Sequence, residues 1–138
     1  MIRIITLLLL AFFTSTLFAG QGGPDAYGYI WKDSNEPDGP VYAWQDITSI
    51  GTLVSGLADD NSVGPIVMQT SFQYYWYTRK FIWVGSNGYI AFNSGNIASP
   101  FPTIPTSGGT NDYIAAMMSD LTFLGAGNPA QCYIYDDG

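Results

Sequence analysis

The sequence contains no histidine, a single cysteine (Cys132) and only four Lys or Arg residues among its 138. Each shortage excludes chemistry. Without histidine, neither a Ser-His-Asp triad nor a Cys-His dyad can be assembled. The usual His and Cys zinc sites go too, which leaves carboxylate chemistry or an oxygen-ligated cation such as calcium. One cysteine makes no internal disulfide framework. Cys132 reads as a small hydrophobe buried in a strand, the other reading being a partner outside this chain. Eleven Asp or Glu residues outweigh the cations and set the formal net charge at −7. Such a surface repels phosphate backbones and anionic lipid, which sets nucleic-acid binding aside. Long amphipathic helical patterns and helix-period charge ladders are missing as well.

What is present begins with an apolar leader. After a basic start at Arg3 comes "IITLLLLAFFTSTLF", a run of about 15 residues, followed by the small residues Ala19 and Gly20. The run is short of the roughly 20 residues that a spanning helix needs. No basic stop-transfer cluster follows, so residues 1–19 read as a secretory signal peptide. The expectation is export, with no membrane span once the leader is removed. Residues 20–138 form one module, and about 119 residues suffice for a core of sandwich size.

Sixteen Gly and eight Pro, with ten Tyr and four Trp, punctuate short apolar runs. That pattern predicts an all-β chain, an antiparallel β-sandwich. Tyr29-Ile30-Trp31 and Tyr42-Ala43-Trp44 read as strand segments around the loop "DSNEPDGP". In "IVMQTSFQYYWYT", residues 66–78, Met68, Thr70, Phe72, Tyr74 and Trp76 alternate with Gln69, Ser71, Gln73, Tyr75 and Tyr77. Period two marks a half-buried strand, with the Phe72–Trp76 side toward the core and a corner at Arg79-Lys80. The next segment, "FIWVGSNGYIAF", is a hairpin. Read as a two-residue type I′ turn, Asn87-Gly88 pairs Ser86 with Tyr89 and Trp83 with Phe92. Phe81, Trp83, Ile90 and Phe92 then share one face, and Ile82, Val84, Tyr89 and Ala91 the other. Two apolar faces predict a central place in the sheet. "SPFPTIPTSGGTND", residues 99–112, reads as a proline-rich loop. "YIAAMMSDL" is ambiguous between helix and strand by period, and "QCYIYDDG" reads as a last strand with a turn signal. A strand and turn at the very end suggest a module incomplete at its C-terminal side.

Several of these strings together resemble nidogen-like (NIDO-type) extracellular domains. "VGSNGYIAF" is similar to their "NGxIxF" hairpin, and "SFQYYWY" to their "F.FYG.Y" strand. "NDYIAAMMSDLTFLGAGNPAQCYIYDDG" resembles their "IAPFWxDxD…GxVYY" segment, with Asp120 at the family's aspartate and Met117-Met118 in place of Pro-Phe-Trp. The opening resembles the N-terminal stretch of bacterial versions in large secreted Bacteroidetes-type proteins that carry a type IX secretion sorting domain. The resemblance implies a fragment of a β-sandwich module, with 113–121 as a strand and further domains in the same parent chain.

Candidate sites are few. Asp33, Asn35 and Asp38 set oxygen donors close together, as a calcium loop would, although Pro37 occupies the fifth position. An Asx-turn loop explains the same residues without a metal. Asp59, Asp60 and Asn61 form a second such loop. Asp46, Asp59, Asp60 and Asp120 are conceivable members of a glycosidase carboxylate pair, but no spacing brings two of them together. Tyr75, Tyr77, Tyr89, Tyr133 and Tyr135 compose a candidate aromatic platform for sugar rings, with sheet packing as the structural alternative. Tyr75, Tyr77 and Tyr89 are the strongest of these. The functional expectation is a non-catalytic extracellular module that binds glycan or protein, or spaces other domains. The alternative is the ancillary front end of a secreted hydrolase whose catalytic domain lies beyond residue 138.

Overall fold

The structure, a computed structural model, describes residues 20–93, 97, 102–104, 111–127 and 129–138. The expected leader, residues 1–19, and most of the proline-rich loop lie outside the described residues. The fold is all-β and every strand pairing is antiparallel. The described residues contain no helix, hence none long and apolar enough to cross a membrane. The chain divides into two compact units, Met1–Trp44 and Gln45–Gly138.

In the first unit β1 (Gln21–Gly22) pairs with β2 (Trp31–Lys32). Asp25 closes the connection. Its Oδ1 accepts the N–H groups of Tyr27, Gly28 and Tyr29 at 2.9, 2.8 and 2.9 Å. A short acidic side chain thus replaces the partners that an irregular backbone cannot supply. The expected strand at Tyr42-Ala43-Trp44 does not form. Val41, Tyr42 and Trp44 are exposed and make no ladder.

The second unit holds two sheets. β3 (Thr52–Leu53) pairs with β8 (Tyr133–Ile134). The larger sheet runs in the order β4 (Ser62–Tyr74), β5 (Tyr77–Gly85), β6 (Tyr89–Ala91), β7 (Tyr113–Ile114). The β5–β6 hairpin is central, as its two apolar faces require. Only Tyr113–Ile114 of the ambiguous 113–121 segment is strand; the rest is irregular.

Two expectations about register are corrected. First, β4 ends at Tyr74, and the chain reverses through Tyr75-Trp76, with Tyr74 paired to Tyr77. Arg79 and Lys80 lie inside β5 rather than at a corner. The alternation through 66–78 spans a turn and also a large irregularity, where four β4 residues between Val67 and Phe72 face one β5 residue. A bulge of that kind ends period-two facing. Phe72 and Trp76 are accordingly exposed, not core.

Second, the Asn-Gly hairpin has three loop residues, not two. Gly85 pairs with Tyr89, Val84 with Ile90 and Trp83 with Ala91. The Gly88 N–H reaches Gly85 O at 3.3 Å, and Gly88 alone of the loop takes a positive φ, 78°. This is the turn-plus-left-handed-residue geometry of three-residue loops. A slip of one residue exchanges the faces of one strand relative to the other. Trp83, Gly85, Tyr89 and Ala91 therefore share a face, and Ile82, Val84, Ile90 and Phe92 the other. On the first face Tyr89, Ala91 and Ile97 form the core, with Trp83, Tyr113, Ala115 and Met118 packed on it. Gly85 is the residue under the Tyr89 ring, where any side chain would collide. On the second face Ile82 and Phe92 are buried, and Phe72 stacks on Phe92 at 5.6 Å. Each fully buried aliphatic or aromatic side chain of this kind contributes roughly 1.5–3 kcal/mol.

Candidate functional site

Two constellations stand out, and the hairpin positions one of them. Asn87, at the tip of the β5–β6 loop, is 0% exposed. Its Nδ2 donates to Asp60 Oδ1 at 2.9 Å, and its Oδ1 accepts the Leu121 N–H at 2.7 Å. Its carbonyl accepts the Ser119 N–H at 3.2 Å, and Gly88 O accepts the Met117 N–H at 3.3 Å. Beside it Ser86 donates its N–H to Asn61 O at 2.9 Å, and Ser86 Oγ accepts the Asn61 N–H at 3.1 Å. Asn61 in turn holds its own loop through Ala58 N–H and Gly56 O. One buried turn thus ties two loops that are some sixty residues apart in sequence.

The consequence is a group of three exposed carboxylates, Asp59, Asp60 and Asp120, whose oxygens lie within 4.8 Å of one another. Like charges at this distance repel, and a divalent cation relieves that repulsion. An all-oxygen donor set suits calcium or magnesium rather than zinc. The predicted calcium loop is a different matter. Asp33 Oδ1 accepts the Asn35 N–H at 2.8 Å, an Asx turn, and Asp38 takes a left-handed φ of 61°. The Asp33 side chain serves the backbone there. Among the described residues it is Asp59, Asp60 and Asp120 that form a carboxylate trio. Asp46 stands apart from them. Its Oδ1 accepts both Thr48 Oγ1, at 2.7 Å, and the Thr48 N–H, at 2.9 Å. Those bonds, the side-chain one foremost, hold its carboxyl below the usual value.

The second constellation is aromatic. Tyr74, Tyr75, Trp76 and Tyr77 form the tip of the β4–β5 hairpin. With Ile104, Asn111, Asp112, Tyr113 and Ala115 they line a cleft of about 670 Å³. Tyr75 adopts φ 50°, the left-handed region that hairpin turns normally fill with glycine. Gln73 braces the turn, donating from Nε2 to Tyr75 O at 2.6 Å and accepting from Thr78 Oγ1 at 3.1 Å. Tyr74 is anchored by its hydroxyl, which donates to Tyr113 O at 2.9 Å, and packs its ring 4.6 Å from Phe92. Tyr75 meets Tyr74 edge-on at 4.9 Å and lies 27° from the plane of Trp76. Trp76 is 69% exposed and Tyr77 57%. Arg79 sits beside the cleft with its guanidinium 4.8 Å from the Tyr77 ring centre and an ion pair to Asp112 Oδ2. Asp112 is itself left-handed, φ 65°, while its carbonyl accepts the Phe92 N–H.

The predicted platform residues therefore separate. Tyr75 and Tyr77 are brought together at the tip. Tyr89 is not with them: at 3% exposure it is core, and its hydroxyl accepts the Ile97 N–H at 3.2 Å. Tyr133 and Tyr135 lie in and beside β8. The largest ring of the tip, Trp76, was expected in the core and is exposed. The composition "YYWY" holds the only signal for it, since four consecutive aromatics cannot all face inward on one strand. Cys132 is half-buried, and burial raises its thiol pKa.

A scan against family models, a search of curated proteins and a search of solved structures each return no match to this chain. The nidogen-like resemblance rests on its quoted motifs alone.

Proposed function

We propose that this chain is a non-catalytic extracellular interaction module of a larger secreted bacterial protein, nidogen-like in type, whose contact surface is the Tyr75-Trp76-Tyr77 tip. The observation that carries the proposal is the exposure of Trp76 and Tyr77 on a braced hairpin beside a ligand-sized cleft. An exposed large aromatic is costly to solvate, and rigid aromatics supply contact area at little conformational cost. Gln73 and the Tyr74 hydroxyl remove the freedom that binding would otherwise have to remove.

Catalysis fits the geometry less well. A carboxylate pair works as acid and base when differing environments push the two groups apart. Asp59, Asp60 and Asp120 are all exposed and none of them lines the aromatic cleft, so no burial sets one carboxyl apart as an acid. The trio is an exposed acidic cluster where Asn87 ties two loops together. The leader, export and sandwich architecture complete the proposal; they draw on the apolar run before Ala19 and on the motif resemblance. The test is capture of cell-envelope material by the full chain and by Trp76→Ala. Capture by the parent and its loss in the variant is expected. Equal capture by both would remove the tip from the interaction.

A further inference from the structure

We infer that the cleft at the β4–β5 tip takes a neutral carbohydrate, with a pyranose C–H face laid on the Trp76 ring. The inference rests on the reading of this tip as the contact surface, and it names the class of ligand.

Three observations lead there. The first is shape. The cleft, about 670 Å³, falls within the roughly 300–1,000 Å³ of small-ligand sites. A folded protein partner covers roughly 800 Å² of each surface and favours broad patches. The second is the pairing of flat apolar faces with a polar edge. The Trp76 ring is mostly exposed and is backed by the Tyr75 ring, which stacks on it at 5.9 Å and 27°. Asn111 and Asp112 line the same cleft as these rings. A pyranose matches both, since its C–H face is apolar and its hydroxyls project from the edge. Asp112 Oδ2 is engaged by Arg79, whereas Oδ1 accepts from no described residue, leaving an acceptor for a hydroxyl donor.

The third observation is charge, and it decides between ligand classes. An aromatic cleft with a carboxylate suits an organic cation, through cation–π attraction. Here the protein supplies that cation itself. Arg79 both neutralises Asp112 and lies over Tyr77. A second cation would meet a charge already compensated. An anionic saccharide would meet a chain of net charge −7. What remains is an uncharged, hydroxyl-bearing ligand with an apolar face.

The experiment uses the full chain on a printed array of neutral, amine-bearing and acidic saccharides, with choline as a soluble competitor. Binding confined to neutral saccharides, and indifferent to choline, is expected. Trp76→Ala should weaken it by about tenfold or more, and Trp76→Phe by far less, because the loss is one of stacking area. Tyr42→Ala, an exposed aromatic outside the cleft, should leave it unchanged. Circular dichroism confirms that the variants fold. Binding only to acidic or amine-bearing spots, or displacement by choline, would overturn the inference. So would Trp76-dependent capture of envelope material that survives periodate oxidation and is lost on proteolysis. That last result would leave the tip as a contact surface for protein. Capture independent of Trp76 would end both readings.

Discussion

Substituting Asn87 by alanine tests how the hairpin holds the second unit together. Two side-chain hydrogen bonds disappear, one from Leu121 N–H and one to Asp60. The Leu121 N–H is part-buried, and leaving such a donor without a partner costs about 1–2 kcal/mol. Asp60 is exposed, so water replaces its lost donor and that bond contributes only about 0.5–1 kcal/mol. The total, about 1.5–3 kcal/mol, is a large share of a net stability of roughly 5–15 kcal/mol. For a unit near 100 residues it lowers Tm by about 6–24 °C. The assay is urea unfolding of the full chain, followed by tryptophan fluorescence, with the slope compared between parent and variant. Asn87→Asp sharpens the result. The carboxylate keeps an acceptor for Leu121 but faces Asp60 with like charge, so its deficit should shrink as pH falls toward the carboxylate range. An Asn87→Ala variant within about 0.5 kcal/mol of the parent, the range of inconsequential surface changes, would refute the role assigned to the turn.

Three further outcomes are expected. Tyr89→Ala should destabilise the chain by about 3–5 kcal/mol, as aromatic truncations in cores do, with Tyr89→Phe costing far less because the ring stays and the loss is confined to the hydroxyl, which accepts the Ile97 N–H; both are read by the same unfolding assay. The Asp46 carboxyl should titrate below 3.8, and Thr48→Val should bring it back toward that value, as followed by carboxyl NMR shifts. Since the folded value is the lower one, Asp46 stabilises the fold above the unfolded carboxylate's pKa, and that contribution is lost as pH falls through the folded value. The Cys132 thiol, with its pKa raised above 9.0 by burial, should react with iodoacetamide more slowly at pH 8 in the folded chain than in urea.

The parts legible in the sequence are those that rest on local chemistry. Dense Gly and Pro between short aromatic runs gave the all-β class, and Asn87-Gly88 marked a hairpin that is central in its sheet. The loop length was not legible, because Asn-Gly serves two-residue and three-residue turns alike. Which one forms depends on Asn87 being drawn into contacts with Asp60, Ser119 and Leu121, all remote in sequence. The Tyr75-Trp76 turn was hidden for the opposite reason. It contains none of the residues that signal a turn, and Tyr75 holds a left-handed φ that costs of order 1–3 kcal/mol. Such strain is sustained by Gln73 and Thr78 around it. The carboxylate trio was half legible. Asp59 and Asp60 announced themselves as neighbours, but only the fold brings Asp120 to them.

Hydroxyl-radical footprinting of the full chain, with and without captured cell-envelope material, tests the central claim most directly. Protection concentrated on Tyr75, Trp76 and Tyr77, with exposed Tyr42 and Trp44 unchanged, is the predicted result. Protection elsewhere, with the three tip residues as reactive as in the free chain, would contradict it.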